Sequence, residues 1–472
     1  MTGYPQLVTE NVLQQVPPAP VTLQQSGAVI SQGGTTLVNG GTSLITQPSD
    51  LTPLLSASLA LTSLVWSGGT VVATTSAAIS GLSSGDKFLT TIAGAVPSGY
   101  NGTVAATVTG TNTFTYALAS NPGSETGAGT YTPNNVVELQ NEIANYFAQG
   151  LNQSCYVLEL GAGDGTSGPP ALQTWITANP GIFYLYLVPR YWDSTAAYLA
   201  LVALYEGLAA KTYFFTTTTT ANYANYTTQM KSVVRLIEAP TTLPAGTQGS
   251  ARPLTEYDMA APFQIATTFS PSSSNLARPL AQQFLYGVTP YPTGGGNSAL
   301  FQTWLTANVS FVGTAAEGGI TTAALFGGKT ADGKPFSYWQ SVDWIQLQAD
   351  QALANALYNA ANSGFPIDYD QGGINTLQDV LVGVVNNGIS FNLATGTVVQ
   401  TTLTGTALAA AVNNGVYPDT CIVNAVPFTT YALANPANYA AGIYGGFSIV
   451  WQVNQFFSQI ILQITATQII SA

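Results

Sequence analysis

Three short stretches of this 472-residue chain carry residue types that could do chemistry. Val157-Leu-Glu-Leu-Gly-Ala-Gly-Asp-Gly-Thr166 is an apolar run closing on a glycine-rich turn, where missing side chains let backbone approach a bound nucleotide. Asp368-Tyr-Asp370, followed by Gly372 and Gly373, puts two carboxylates in one loop, the raw material of a cation site. Cys155 and Cys421 are the two thiols. The usual partners of such groups are scarce, since the chain has no histidine and only 9 Lys+Arg beside 21 Asp+Glu. Without imidazole, the His-dependent triads that activate Ser or Cys are excluded. A Ser-Lys or carboxylate-pair enzyme is arithmetically possible, but no spacing singles one out.

Each stretch weakens in its context. The glycine turn resembles that of class I methyltransferases, which bind S-adenosylmethionine, but such a turn should open directly into a helix and be followed by a strand ending in an acidic residue. Here Ser167-Gly-Pro-Pro170 intervenes, and the next strand runs into Val188-Pro-Arg-Tyr-Trp192 with no carboxylate until Asp193. A plain strand-end turn is expected, with methyltransferase activity as the remote alternative. Asp368 and Asp370 lack the carboxylate series and terminal Glu of a calcium hand, so a solvated turn is expected there. Two cysteines are too few for a disulfide framework or a metal knuckle, and two buried thiols are expected. No cofactor and no metal follow from these residues.

Composition points to architecture instead. Charged residues make up 6% of the chain, against roughly a quarter in an average globular domain. A surface poor in charge suits a protein that covers itself with its own copies, because interface cores are depleted in charged residues. Net charge −12 and a pI near 4.1 argue against direct nucleic-acid binding, which needs clustered Lys and Arg. Mean hydropathy is +0.22, yet the best candidate span, Ala196 to Phe215, is broken by Glu206 and Lys211, so no membrane partner is expected. Met1-Thr-Gly-Tyr-Pro-Gln6 offers no basic segment followed by an apolar run, so no secretory leader is expected and the protein should be made in the cytoplasm.

The elements that would position these residues change texture along the chain. Residues 1–55 mix Pro, Gln and Gly with β-prone pieces at Thr35 to Val38 and Ser43 to Thr46, which predicts an N-terminal arm with one or two strands. Residues 59–133 read as a small all-β module, with short alternating runs such as Thr70 to Thr75, Lys87 to Ile92, Thr103 to Val108 and Thr113 to Leu118. Its turn at Pro97 to Gly102 holds an Asn-Gly step that favours positive φ. Residues 134–330 alternate helix and strand: a helix over Val136 to Gln149, a strand at Cys155 to Leu160, a helix at Ala171 to Ala178, a strand at Ile182 to Val188, a helix at Ser194 to Ala210 and a strand at Thr212 to Thr217. That order predicts a mainly parallel sheet flanked by helices. Residues 331–472 add a long helix over Ile345 to Asn362 and close on an alternating strand, Phe447 to Val453. The fold class expected is α/β, α+β overall, in several domains.

Several of these stretches, in order, resemble the tail sheath proteins of contractile-tailed bacteriophages. They are Asn141 to Gly150 running into Tyr156-Val-Leu-Glu-Leu-Gly161, Phe183 to Asp193, Asn275 to Thr289, Gly333 to Trp344 with its aspartate-tryptophan approach to the long helix, and Gly373 to Gly388. The similarity covers roughly residues 20–55 and 134–472; residues 59–133 instead resemble a small β-module inserted in varied phage structural proteins, and are expected to decorate the outside. The resemblance implies a virion structural protein that stacks with itself as six-fold rings around a tail tube, contacts the tube, baseplate and tail terminator proteins, and contracts to drive the tube through the host envelope. Assembly in the host cytoplasm and absence of enzyme activity are implied with it. Family members join neighbours through terminal arms that add strands to an adjacent subunit's sheet, which makes Val21, Leu23, Ile460, Leu462, Ile464 and Thr465 the candidate inter-subunit contacts. The alternative within the virion is a tube or baseplate protein; tube subunits are smaller and all-β, which the helical texture of residues 134–390 opposes.

Overall fold

A computed structural model describes residues 23–79, 82, 84–226, 230–239, 258–291, 298–314, 322–414 and 419–456. Strand β1 (Gly27–Ser31) is followed by β2 (Thr42–Ile45) and then by six strands of a separate unit: β3 (Leu59–Ser67), β4 (Thr70–Thr75), β5 (Lys87–Ala93), β6 (Gly102–Gly110), β7 (Thr113–Ala117) and β8 (Thr130–Tyr131). The chain continues through α1 (Asn134–Ala148), β9 (Cys155–Glu159), α2 (Gly168–Ala178), β10 (Leu185–Leu187), α3 (Ala196–Ala203), β11 (Tyr213–Thr218), β12 (Val233–Ile237) and α4 (Ala260–Thr267).

The body is one six-stranded sheet in the order β12-β11-β10-β1-β9-β2. Its strands are parallel except β2, which runs antiparallel on β9. Helices cover both faces, so the central strands are buried at almost every position rather than at alternate ones, as a parallel sheet requires. One face buries Val29, Val157, Leu187 and Phe215 with α1 and α4; the other buries Ile30, Leu158, Tyr186 and Phe214 with α2 and α3. The arm expected over residues 1–55 therefore contributes β1, buried throughout, to the middle of the body sheet. Of the two short β pieces expected there, Ser43 to Thr46 corresponds to β2, whereas Thr35 makes only an isolated bridge with Leu55.

Strands β3 to β8 close a barrel in the order β3-β4-β7-β6-β5-β8. Phe88, Phe114, Tyr116 and Tyr131 fill it, Phe88 meeting Phe114 edge-on at 5.4 Å. Leu59 pairs with Tyr131, so the chain enters and leaves the barrel at neighbouring points. At the turn after β5, the positive φ falls on Gly102 (145°), while Asn101 keeps φ −76°. The Asn101 amide closes the turn instead, accepting from Ala95 N at 2.8 Å and donating to Ala95 O at 3.0 Å.

Beyond α4 come α5 (Ser298–Thr306), β13 (Phe311–Thr314) and β14 (Ala323–Phe326), and then the long helix α6 (Phe336–Ser363). At 28 residues α6 is about 42 Å long. It starts right after Pro335, so Asp343-Trp344 lies two turns inside it rather than at its beginning. Its first turns bury Phe336 and Trp339 in the body, and its middle buries Trp344, Ile345 and Ala349 in a second core. The chain continues through α7 (Gln371–Ser390), β15 (Ala394–Thr395), β16 (Thr397–Thr401), α8 (Gly405–Asn414), β17 (Thr420–Ala425), α9 (Phe428–Ala434), α10 (Pro436–Ala440), β18 (Phe447–Val450) and β19 (Gln452–Val453), of which α7 and strands β15 to β18 complete that core. Here β16 and β17 are parallel, β18 is antiparallel on β17, and β15 pairs with β19.

Candidate functional site

The glycine turn sits at the carboxyl end of β9, where α/β sheets bind their ligands, and the chain fills that place itself. Glu159, 1% exposed, accepts from Ser31 Oγ (2.7 Å), Gly33 N (2.5 Å), Thr35 N (3.0 Å), Thr35 Oγ1 (2.8 Å) and Gly161 N (2.8 Å). These bonds fold the loop after β1 over the turn. Gln32 on that loop points into the crevice, where its Oε1 accepts from Tyr191 OH and Trp192 Nε1, each at 2.7 Å. A Cβ at Gly163 or Gly168 would collide with the Gln32 amide. The glycines thus admit the protein's own side chain rather than a cofactor. The space left among Ser31, Gln32, Asn135, Glu138, Glu142 and Tyr191 is about 10 Å³, room for one water and not for a nucleotide.

Beside it lies a buried acidic group on α1. Glu138 accepts the backbone N–H of Arg190 at 2.7 Å, and the Arg190 guanidinium lies 3.9 Å from Glu238. Burial pushes the Glu138 carboxyl up to about 7, against the pull of that N–H. Glu142 is raised well above the usual carboxylate range by burial and then by Glu138. Such a pair can hold and release protons, but among the described residues the space beside it is the same 10 Å³, room for a water.

The other groups singled out in the sequence are held within the fold. Both thiols are buried, and burial raises each of them, Cys155 with help from Glu142. Asp370 is the N-cap of α7, its Oδ1 accepting Gly373 N at 2.8 Å, and Tyr369 between the two aspartates donates to Ile443 O at 2.8 Å. Asp343, buried in α6, accepts Tyr184 OH at 2.8 Å and Tyr213 OH at 2.9 Å on one oxygen. Sequence reasoning missed Gln32, Glu159 and this tyrosine pair, because their partners lie more than a hundred residues away and leave no local pattern.

No protein-family model matches the sequence, and no curated protein does. Solved structures do. The anti-feeding prophage helical sheath in its contracted state aligns with 98% of this chain and 99% of that one, at TM-score 0.50 and 12% identity. The fold is that of a sheath subunit. A sheath tail protein from Listeria innocua is similar over 79% of this chain and 86% of that one, at TM-score 0.39 and 10% identity. A chain of the anti-feeding prophage baseplate in its contracted state is similar over 99% of both, at TM-score 0.43 and 11% identity.

Among the described residues, strands β16 and β18 are the two edges of the second sheet, and β16 is largely exposed. From Thr420 to Ala472 the sequence has no charged residue to blunt such an edge. Phe447, Ile449 and Trp451 pack on the second core, so the alternating strand belongs to its own subunit. Leu23 opens a short 3-10 helix, Leu23–Gln25, and packs half-buried on the body core. Val21, Ile460, Leu462, Ile464 and Thr465 lie outside the described residues.

Proposed function

We propose that this chain is a tail sheath subunit that polymerises as stacked six-fold rings around a tail tube and contracts to drive the tube through a host envelope. The observation that carries this reading is the likeness to a helical sheath along nearly the whole of both chains. The 6% charge supports a surface destined for contact with copies of itself. The filled crevice supports a structural rather than an enzymatic role. In this reading the N- and C-terminal arms, with Val21, Leu23, Ile460, Leu462, Ile464 and Thr465 as their contacts, add strands to a neighbour's second sheet, at the β16 and β18 edges. Main-chain hydrogen bonds of that kind persist while the bodies slide and rotate. Because α6 is built into both cores, the body and the second domain would travel together. Its partners would be its own copies, the tube protein, and the baseplate and tail terminator proteins, within a virion tail assembled in the host cytoplasm. The barrel would decorate the outside of the polymer. Negative-stain electron microscopy of purified protein, with and without tube protein, tests this: rings or tubes are expected, and a monomer under every condition contradicts it.

A further inference from the structure

Charge is divided unequally along this chain. Residues 335–472 contain Asp343, Asp350, Asp368, Asp370, Asp379 and Asp419 but no Lys or Arg. Asp343 is buried and the other five are exposed. Those five carboxylates therefore have no cation within their own region. In the body, Arg278 is exposed and makes no hydrogen bond, ion pair or ring contact with any described residue. It lines a cleft of about 30 Å³ with Ile265, Phe269, Ser270, Asn275 and Gln340, enough for a carboxylate or about two waters. Two of the other donors there bond internally: Asn275 Nδ2 to Ser270 O at 2.8 Å, and Gln340 Nε2 to Ala266 O at 3.4 Å.

The segment that carries Arg278 is held on both sides. Ala277 is buried in the second core, its N–H donating to Phe391 O at 2.9 Å and its C=O accepting Asn392 Nδ2 at 3.1 Å. Leu280 is buried in the body core. The guanidinium is thus presented from fixed backbone, and a planar fork of donors matches a carboxylate in two-bond geometry. Arg278 meets none of the five aspartates within its own chain, although the molecule is strongly acidic.

We infer that the Arg278 cleft receives an exposed aspartate of the 335–472 region of a second copy, forming an ion pair between subunits. The inference rests on the self-assembly proposed above and adds the contact that selects and orients the neighbour.

The test is sedimentation of full-length protein over a range of concentration and NaCl, with thermal melting as the check on folding. Wild type is expected to polymerise, with a critical concentration that rises with salt. Arg278→Ala should melt like wild type but need about tenfold more protein. Arg278→Glu should block polymerisation and be rescued by reversing one aspartate among Asp350, Asp368, Asp370, Asp379 and Asp419 to Arg, which identifies the partner. If wild type polymerises and folded Arg278→Ala does so at the same concentration and salt dependence, the ion pair is wrong and self-assembly stands. If Arg278→Glu is rescued by none of the five, the assignment to the 335–472 region is overturned. A wild type that never polymerises overturns both readings.

Discussion

Tyr184 donates its phenol O–H to Oδ2 of Asp343 at 2.8 Å, joining the body sheet to the long helix that continues into the second domain. Tyr213 donates to the same oxygen at 2.9 Å. Asp343→Ala would leave two buried phenols without an acceptor, a loss of about 2–4 kcal/mol. Asp343→Asn keeps an acceptor and should cost about 1 kcal/mol or less. Denaturant unfolding of the two variants checks the order; equal losses would show that the hydrogen bonds contribute little.

A pH dependence follows from the same burial. Burial raises Asp343 to about 6 and Glu138 to about 7, and burial together with Glu138 lifts Glu142 well above the usual carboxylate range. The folded protein therefore holds these protons more tightly than the unfolded chain, and stability should fall as pH rises from about 4 toward 7. Glu142→Gln removes one ionisation without changing size. It should stabilise the fold at pH 8 by on the order of 1 kcal/mol, seen as a higher melting temperature, and change little at pH 5. A variant less stable than wild type at pH 8 would show that Glu142 is held as a needed anion.

Gln32 as the occupant of the glycine crevice makes a paired prediction. Gly163→Ala alone should destabilise, because the added methyl meets an amide pinned by Tyr191 and Trp192. Combined with Gln32→Ala, the second change should cost less than it does alone, by about 1 kcal/mol in a double-mutant cycle. Calorimetry with S-adenosylmethionine should show no heat for wild type. Micromolar binding lost in Gly163→Ala would revive the enzyme reading.

The parallel body was legible because Cys155 to Glu159 and Tyr213 to Thr218 are apolar runs between helical periods, and period survives burial. Strand β1 escaped notice because Gly27-Ala-Val-Ile-Ser31 is too short to separate from a buried turn, and its place between β9 and β10 is fixed only by distant partners. The helix expected over Ser194 to Ala210 stops at Ala203, since Glu206 turns to accept Ser232 Oγ at 2.6 Å and the Lys231 N–H. The Gly161 turn was legible as a turn; that Gln32 fills it was not, because the two meet only in the folded body.

Excision of the barrel should be tolerated. Leu59 and Tyr131 are paired neighbours, so joining Ser58 to Thr132 through a short Gly/Ser linker spans little distance. We expect soluble protein that still polymerises. Insoluble product would show that the body needs the barrel to fold.

Truncation after Asn454 keeps the bonds that fix the last described strand, including Asn454 N to Leu393 O at 3.0 Å. The truncated chain should fold, melt within a few degrees of wild type and fail to polymerise. Global unfolding would place the tail in its own core and sink the arm assignment.

The most direct measurement of the central claim is electron microscopy of the full-length protein assembled alone and with its tube protein, followed by rotational averaging of end views. The account predicts hollow tubes or stacked rings with six-fold symmetry. Particles that stay monomeric at every concentration, or closed assemblies with no axial channel, would contradict it.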